Sequence, residues 1–343
     1  MPLASNITVA ILNWNGIDHL KQYLPSVVAH SGDARIRVID NASNDESVDW
    51  LKKEYPNVEL HILPKNLGFT GGYNEALRYI ETELVVLLNS DVEVTANWLD
   101  SMEKRMASDS RIAACQPKIL SWRQKDLFEY AGACGGFLDV MGYPFCRGRI
   151  FETCETDSGQ YDTAIPVFWA SGACMMVRKD AFLACGSFEE TFFAHMEEID
   201  LCWRFWKQGY SVWVEPQSTV YHLGAGTLSK TSPKKTFLNY RNGLAMLFMN
   251  STSTQLFWKI PVRLVLDGIA GIKYIYHGEW NNCWAIAKAH IAFYGQIGYW
   301  MKRRKDDARI TRQAIPSSVF LGGSVLPAYF FQGKKWFSQV MNS

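Results

Sequence analysis

The chain has 343 residues, enough for one large domain or for a domain with a substantial appendage. Its composition, 48% hydrophobic and 14% aromatic, supplies an ample core, and a formal net charge of +1 gives no basic field that would suggest a nucleic-acid partner. Eight cysteines form no CxxC pair, which excludes zinc-finger spacing; several sit in apolar runs, so free thiols in a reducing cytoplasm are expected. Met1 to Asn6 shows no leader pattern and reads directly into a strand.

Ile7 to Leu12 is a β-rich run closed by the turn signal Asn13-Trp14-Asn15-Gly16. A helix follows, with apolar positions at Leu20, Tyr23, Leu24 and Val27. A second strand, Ile36 to Ile39, ends at Asp40; Asn41 to Asp45 is loop and cap, and a helix runs through Trp50 and Leu51. Val58 to Ile62 alternates and is the third strand. The glycine-rich stretch Asn66 to Asn74 reads as a turn entering a helix at Glu75, its glycines allowing close backbone approach and the helix start offering N–H groups to an anion. It is neither GxGxxG nor a P-loop, and taken alone an ordinary loop is the better explanation.

Leu84 to Leu88 is a continuous apolar run, expected as a strand buried on both faces, and it stops on Asn89-Ser90-Asp91. A carboxylate at the carboxyl edge of such a sheet lies where ligands bind and can hold a divalent cation together with phosphate oxygens. A helix N-cap at Asp91, ahead of Ala96 to Leu99, is the competing explanation. Strand, helix, strand in this rhythm implies a parallel sheet with right-handed crossovers.

From 115 to about 165 the pattern loosens into an expected excursion over the site. A strand is expected over Val167 to Val177, a helix near Lys179, and a helix from Met196 with Glu197, Glu198 and Asp200 in its first turn, where the dipole favours acids. Asp200 and Arg204 suit an i,i+4 pair, Gly209 stops the helix, and strands follow at Tyr210 to Val214 and near Val220 to Gly224.

Taken together, Asn13 to Gly16, Asp40 to Asp45, Asn66 to Asn74, Leu87 to Asp91, Glu197 to Leu201 and Tyr221-His222 form six motifs in one order. In that order the chain resembles glycosyltransferase family 2, in particular its bacterial rhamnosyltransferase-like branch, over roughly residues 5–250. The resemblance implies a GT-A fold: an α/β, mostly parallel nucleotide-binding sheet flanked by helices. It also implies inverting transfer from a nucleotide sugar with Mg²⁺ or Mn²⁺. By this resemblance Asn13, Asn15, Asp40, Asn66, Gly71, Gly72, Asn74, Asn89 and Asp91 contact the donor. Asp40 accepts the imide N–H of uracil or thymine, which favours a UDP- or dTDP-sugar, dTDP-rhamnose first. Asp91 and His222 hold the metal, and Glu197 or Glu198 is the base. Asp40 as a turn former, His222 as a core histidine and the two glutamates as dipole-complementing acids remain the structural alternatives.

The expected division is residues 1–245 for the transferase domain, with its nucleotide-binding half at about 1–115 and its acceptor-binding half at about 116–245, and 246–343 for an aromatic-rich helical region. Phe248 to Tyr276 and Trp280 to Trp300 look helical but carry interrupting charges, and Lys302 to Lys305 is a basic cluster suited to an anionic leaflet. Ala314 to Gly333 is uncharged but broken by prolines and glycines. The expectation is a peripheral enzyme on the cytoplasmic face of the inner membrane, acting on a glycan or lipid-linked acceptor; a helical cap or homodimer contact is the alternative use of this region.

Overall fold

The computed structural model describes residues 6–224, 232–308 and 313–341; the leading stretch Met1 to Ser5 lies outside the described residues. In chain order the first half comprises β1 (Ile7–Asn13), α1 (Ile17–His30), β2 (Arg35–Asp40), α2 (Ser47–Glu54), β3 (Glu59–Ile62), α3 (Gly68–Leu77), β4 (Leu84–Asn89), β5 (Val92–Val94), α4 (Trp98–Ser108) and β6 (Ile112–Ser121). Next come β7 (Gly136–Asp139), β8 (Pro144–Cys146), β9 (Arg149–Ile150), β10 (Thr153–Cys154), β11 (Ile165–Pro166), β12 (Cys174–Arg178), α5 (Lys179–Ala184), α6 (Glu197–Lys207) and β13 (Ser211–His222). The remainder is α7 (Pro233–Asn250), α8 (Ser253–Tyr276), α9 (Trp280–Gly295), α10 (Ile297–Ala308), β14 (Phe320–Leu321), α11 (Val325–Phe330) and α12 (Phe337–Met341).

The central sheet runs β11-β13-β6-β12-β4-β1-β2-β3, with β5 paired to the end of β13. β1 to β4, β6 and β13 share one direction; β5, β11 and β12 oppose them. Successive β4 residues serve opposite faces: Val86 and Leu88 join Val9, Ile11, Leu24 and Trp98 under α1 and α4, whereas Val85 and Leu87 join Ala10, Tyr73 and Leu77 under α3. This is why the segment reads as an unbroken apolar run. Val85 to Leu88 are fully buried, worth about 1.5–3 kcal/mol each.

The excursion is a second, five-stranded sheet, β10-β9-β8-β7-β14. Its last strand comes from the Ala314 to Gly333 segment, which folds into β14 and α11, and among the described residues no helix is long and apolar enough to cross a membrane. The C-terminal helices pack on α6 through α7, which runs through the expected boundary at residue 245. Arg303 and Arg304 of the basic cluster are used internally, on Glu189 and on the carbonyls of Phe248 and Ser251, leaving Lys302 and Lys305 exposed.

Candidate active site

The carboxyl edge of β1, β4 and β2 carries Asn13, Asn15, Asp40, Asn89 and Asp91 of the predicted donor residues. Asn13 is fully buried at the end of β1 and donates from Nδ2 to Asp40 Oδ1 at 3.1 Å and to Ser43 Oγ at 3.2 Å. Asp40 Oδ2 accepts the Ser43 N–H at 2.9 Å. With both oxygens engaged and 1% of its surface exposed, Asp40 presents at most a second lone pair to a base. Asn15, at φ +50°, accepts the Asn44 N–H at 2.7 Å and ties the first edge loop to the second.

The glycine-rich stretch corrects the sequence expectation. It is not a turn but the first two turns of α3, and the N–H groups of Phe69 and Thr70 already bond Phe193 O at 2.8 and 3.2 Å, so they are not offered to an anion. Gly71 and Gly72 are buried packing positions: a Cβ on Gly72 would lie 2.7 Å from Leu12 Cδ1. Asn74 exchanges hydrogen bonds with the Phe188 backbone at 2.9 and 3.0 Å, pinning the loop before α6 rather than facing a ligand. Asn66 closes the α3 entrance by accepting the Gly68 N–H at 2.8 Å.

Asp91 and His222, far apart in sequence, meet because β5 pairs antiparallel with β13 in a register that sets His222 opposite Val92. The Asp91 Oδ1 to His222 Nε2 distance is 3.2 Å, and Asn89 Nδ2 lies 3.5 Å from the same nitrogen. α4 starts only at Trp98, after β5, which removes the N-cap explanation for Asp91. Behind the ring stands Glu129, which the sequence analysis missed: its Oε2 lies 3.3 Å from His222 Nδ1, out of line for a good hydrogen bond, and takes the Ala131 N–H at 2.5 Å. Burial alone would lower the His222 pKa, but Asp91 and Glu129 outweigh it and raise it well above the usual histidine range. Burial also opposes ionisation of Asp91, yet the facing His222 holds its pKa below the ordinary value. Glu93 is not part of this group; it is held by Trp122 Nε1 at 2.8 Å and Lys125 at 2.6 Å.

A carboxylate and an imidazole with a second carboxylate behind it suit a divalent cation: the Glu129 charge lies on the far side of the ring, and the hard oxygen of Asp91 matches Mg²⁺ or Mn²⁺. Among the described residues no three His, Cys, Asp or Glu side chains converge on one point as a closed cage. Such a pair would leave most of the cation's shell to diphosphate oxygens and water.

Glu197 and Glu198 begin α6, on the edge that also holds the α3 entrance. The loop before them is strained: Phe193, His195 and Met196 all have φ between 64 and 71°. α7 holds it there. Asn242 Nδ2 donates to the carbonyls of Phe192, Ala194 and His195 at 3.1, 3.0 and 2.8 Å, and Arg241 donates to those of Thr191 and Phe192. Three enclosed atoms, His195 Nε2, Glu197 Oε2 and Glu198 Oε2, have no hydrogen-bond partner among the described residues. Burial pushes Glu197 well above the usual glutamate value, with Glu198 adding to it; burial lifts Glu198 to about 7 against the helix-start N–H groups. Asp200 pairs with Arg204 at 3.0 Å, a structural role as expected. Of two surface cavities, one of 280 Å³ lies beside the start of β1 and one of 320 Å³ between Asn74 and Arg303.

The fold, a mixed sheet flanked by helices with a carboxylate just after β4, is that of GT-A glycosyltransferases. Solved structures agree: GalNAc-T7 with UDP, GalNAc and Mn²⁺ has a TM-score of 0.56 at 15% identity, covering 70% of this chain and 47% of that one. The mannosyltransferase PcManGT from Pyrobaculum calidifontis with GDP-Man and Mn²⁺ has a TM-score of 0.50 at 14% identity, covering 87% of this chain and 76% of that one. The family model for glycosyl transferase family 2 matches residues 8–184, more than half of the chain, and the chain belongs to that family. It is 25% identical over 287 residues to the N-acetylglucosaminyl-diphospho-decaprenol L-rhamnosyltransferase of Mycobacterium tuberculosis, covering 78% of this chain and 91% of the relative. It is 23% identical over 219 residues to the low-salt glycan biosynthesis hexosyltransferase Agl10 of Haloferax volcanii, covering 61% and 64%.

Proposed function

We propose that this glycosyltransferase is inverting and metal-dependent, and that it moves a sugar from a UDP- or dTDP-sugar, dTDP-rhamnose first, to a hydroxyl of a lipid-linked acceptor in cell-envelope glycan synthesis. The observation that carries the reading is the pairing of Asp91 with His222, together with a half-buried glutamate at the start of α6 whose pKa is lifted to about 7. The likeness to a transferase whose name specifies a decaprenol-linked acceptor and rhamnose supports the donor and acceptor. Asp91 and His222 would hold Mg²⁺ or Mn²⁺, which when bound offsets charge on the departing diphosphate.

In this reading Asn13, Asp40 and Asn15 shape the nucleotide cleft, with Asp40 accepting the pyrimidine imide N–H. Glu198 takes the proton of the acceptor hydroxyl as that oxygen attacks the anomeric carbon. Glu198 suits the task better than Glu197, because a base poised near neutral pH is most effective and Glu197 is held protonated by deeper burial. The enzyme works from the cytoplasmic face of the inner membrane as a peripheral protein. The test is transfer from dTDP-rhamnose and a UDP-sugar panel to N-acetylglucosaminyl-diphospho-polyprenol, with Mn²⁺ or EDTA and product configuration read by NMR. Metal-dependent transfer with inverted configuration supports the reading; a retained configuration refutes the single-base mechanism.

A further inference from the structure

Helix α8 is built inside out. Its buried stripe is Lys259, Arg263, Asp267 and Gly271, at steady i,i+4 spacing. Its outward face carries Phe257, Val265, Ile269, Ile272 and Tyr276, exposed by 88, 64, 58, 67 and 86%. A helix on an aqueous surface has the opposite polarity. The inward charges are accommodated: Arg263 donates to Met141 O at 3.1 Å and lies 4.0 Å over the Tyr143 ring, and Asp267 meets His290 Nε2 at 3.0 Å. α9 extends the outward surface with Trp280, Trp284 and Ile291, each more than half exposed.

We propose that the α8–α9 face is the surface by which this protein lies on an anionic lipid leaflet. Charge selects the occupant. The one acid on these two helices, Asp267, is buried, whereas Lys273 and Lys288 are exposed at the margin of the apolar face, with Lys302 and Lys305 exposed on α10. Lys288 lies 5.7 Å from the Trp284 ring, the amphipathic pairing suited to a headgroup zone. A second copy placed on the same face would set these lysines against lysines, with Glu279 of the connecting turn, already engaged by Asn282, as the one acid beside the face among the described residues of these two helices and their connection. A leaflet offers hydrocarbon to the isoleucines, an interface to the tryptophans and phosphates to the lysines.

The surface also reaches the chemistry. α9 packs on α7 (Phe293 against Phe248, ring centroids 5.8 Å apart), and α7 carries the Arg241 and Asn242 that hold the loop before Glu197. Docking would therefore bring the glutamate edge towards lipid-borne substrates. This deepens the lipid-linked acceptor reading without depending on it, since the face would bind vesicles whatever the acceptor.

The test is flotation of the full chain with phosphatidylglycerol–phosphatidylethanolamine vesicles and with phosphatidylcholine vesicles. Wild type is expected to float with the anionic vesicles. The triple variant Val265→Ser, Ile269→Ser, Ile272→Ser should lose at least about 100-fold in partitioning. Lys273→Gln with Lys288→Gln should lose about 30-fold on anionic vesicles only, equivalent to about 1 kcal/mol per lysine. All five positions face outward, so circular dichroism and nucleotide binding should be unchanged. Failure of wild type to float, or unchanged flotation of the triple variant, overturns the proposal. A concentration-dependent dimer lost in the triple variant, without flotation, assigns the face to a second copy instead. Flotation without transfer to any lipid-linked acceptor overturns the acceptor reading and leaves the surface standing.

Discussion

Replacing Glu198 by Gln separates two effects that the fold places on one side chain. Burial raises the Glu198 pKa from 4.5 to about 7, although the N–H groups at the start of α6 pull the other way. Between those values the unfolded carboxylate is ionised while the folded one is protonated, so the native state loses stability as pH rises through that window, and the loss is complete above about 7. At about 1.4 kcal/mol per pH unit the cost is at most about 3 kcal/mol. Glu198→Gln keeps the shape and abolishes the cost. Urea denaturation should show the variant more stable by about 2–3 kcal/mol near pH 8 and unchanged near pH 4. Its transfer rate should fall about 10²–10⁴-fold, the usual contribution of a positioned base. The wild-type rate should climb through about pH 7 to a plateau, following ionisation of the Glu197–Glu198 pair. A variant that keeps a tenth or more of the activity, or that is destabilised near pH 8, would refute the reasoning.

Other substitutions probe the parts that support this edge. Glu129→Gln removes the carboxylate behind His222 and should weaken Mn²⁺ binding about 10–100-fold, read by electron paramagnetic resonance titration. Asn242→Ala removes a donor from three carbonyls of the strained loop, of which that of Phe192 keeps Arg241; it should cost about 1–3 kcal/mol in urea and lower kcat far more than it raises the donor KM. Gly68→Ala would put a Cβ 2.5 Å from the Phe193 ring at a φ of +72°, so it should destabilise the chain by about 2 kcal/mol or more and slow transfer, checked by thermal melts beside steady-state rates.

β1 and β4 were legible because they are buried almost throughout and leave apolar runs, and because polar residues mark their ends. β6 was missed since Gln116, Pro117 and Lys118 interrupt it. Gln116 is buried and bonds the Ser171 N–H, and Lys118 pairs with Asp157 and Asp162, so tertiary partners permit what local pattern argues against. The expected strand from Val167 shrank to Cys174–Arg178 because Ser171 and Gly172 make a turn that a β-rich composition hides. Gly71 and Gly72 misled in the other direction: glycine inside a helix looks like a turn when the close approach it allows, to Leu12, lies on another element. Asp91, His222 and the Glu197–Glu198 pair were singled out by motif order, and the fold sets Asp91 beside His222. Glu129 and Asn242 were not, because their roles exist only after β13 and α7 fold back on the edge.

Asp91 and His222 are proposed to bind a nucleoside diphosphate through a divalent cation. The decisive measurement is isothermal titration of UDP and dTDP into the protein, with Mn²⁺ and with EDTA, in wild type and in Asp91→Asn. Binding with Mn²⁺ should be lost both in EDTA and in the variant. Equal binding with and without the metal, or an Asp91→Asn protein that binds as tightly as wild type, would contradict it.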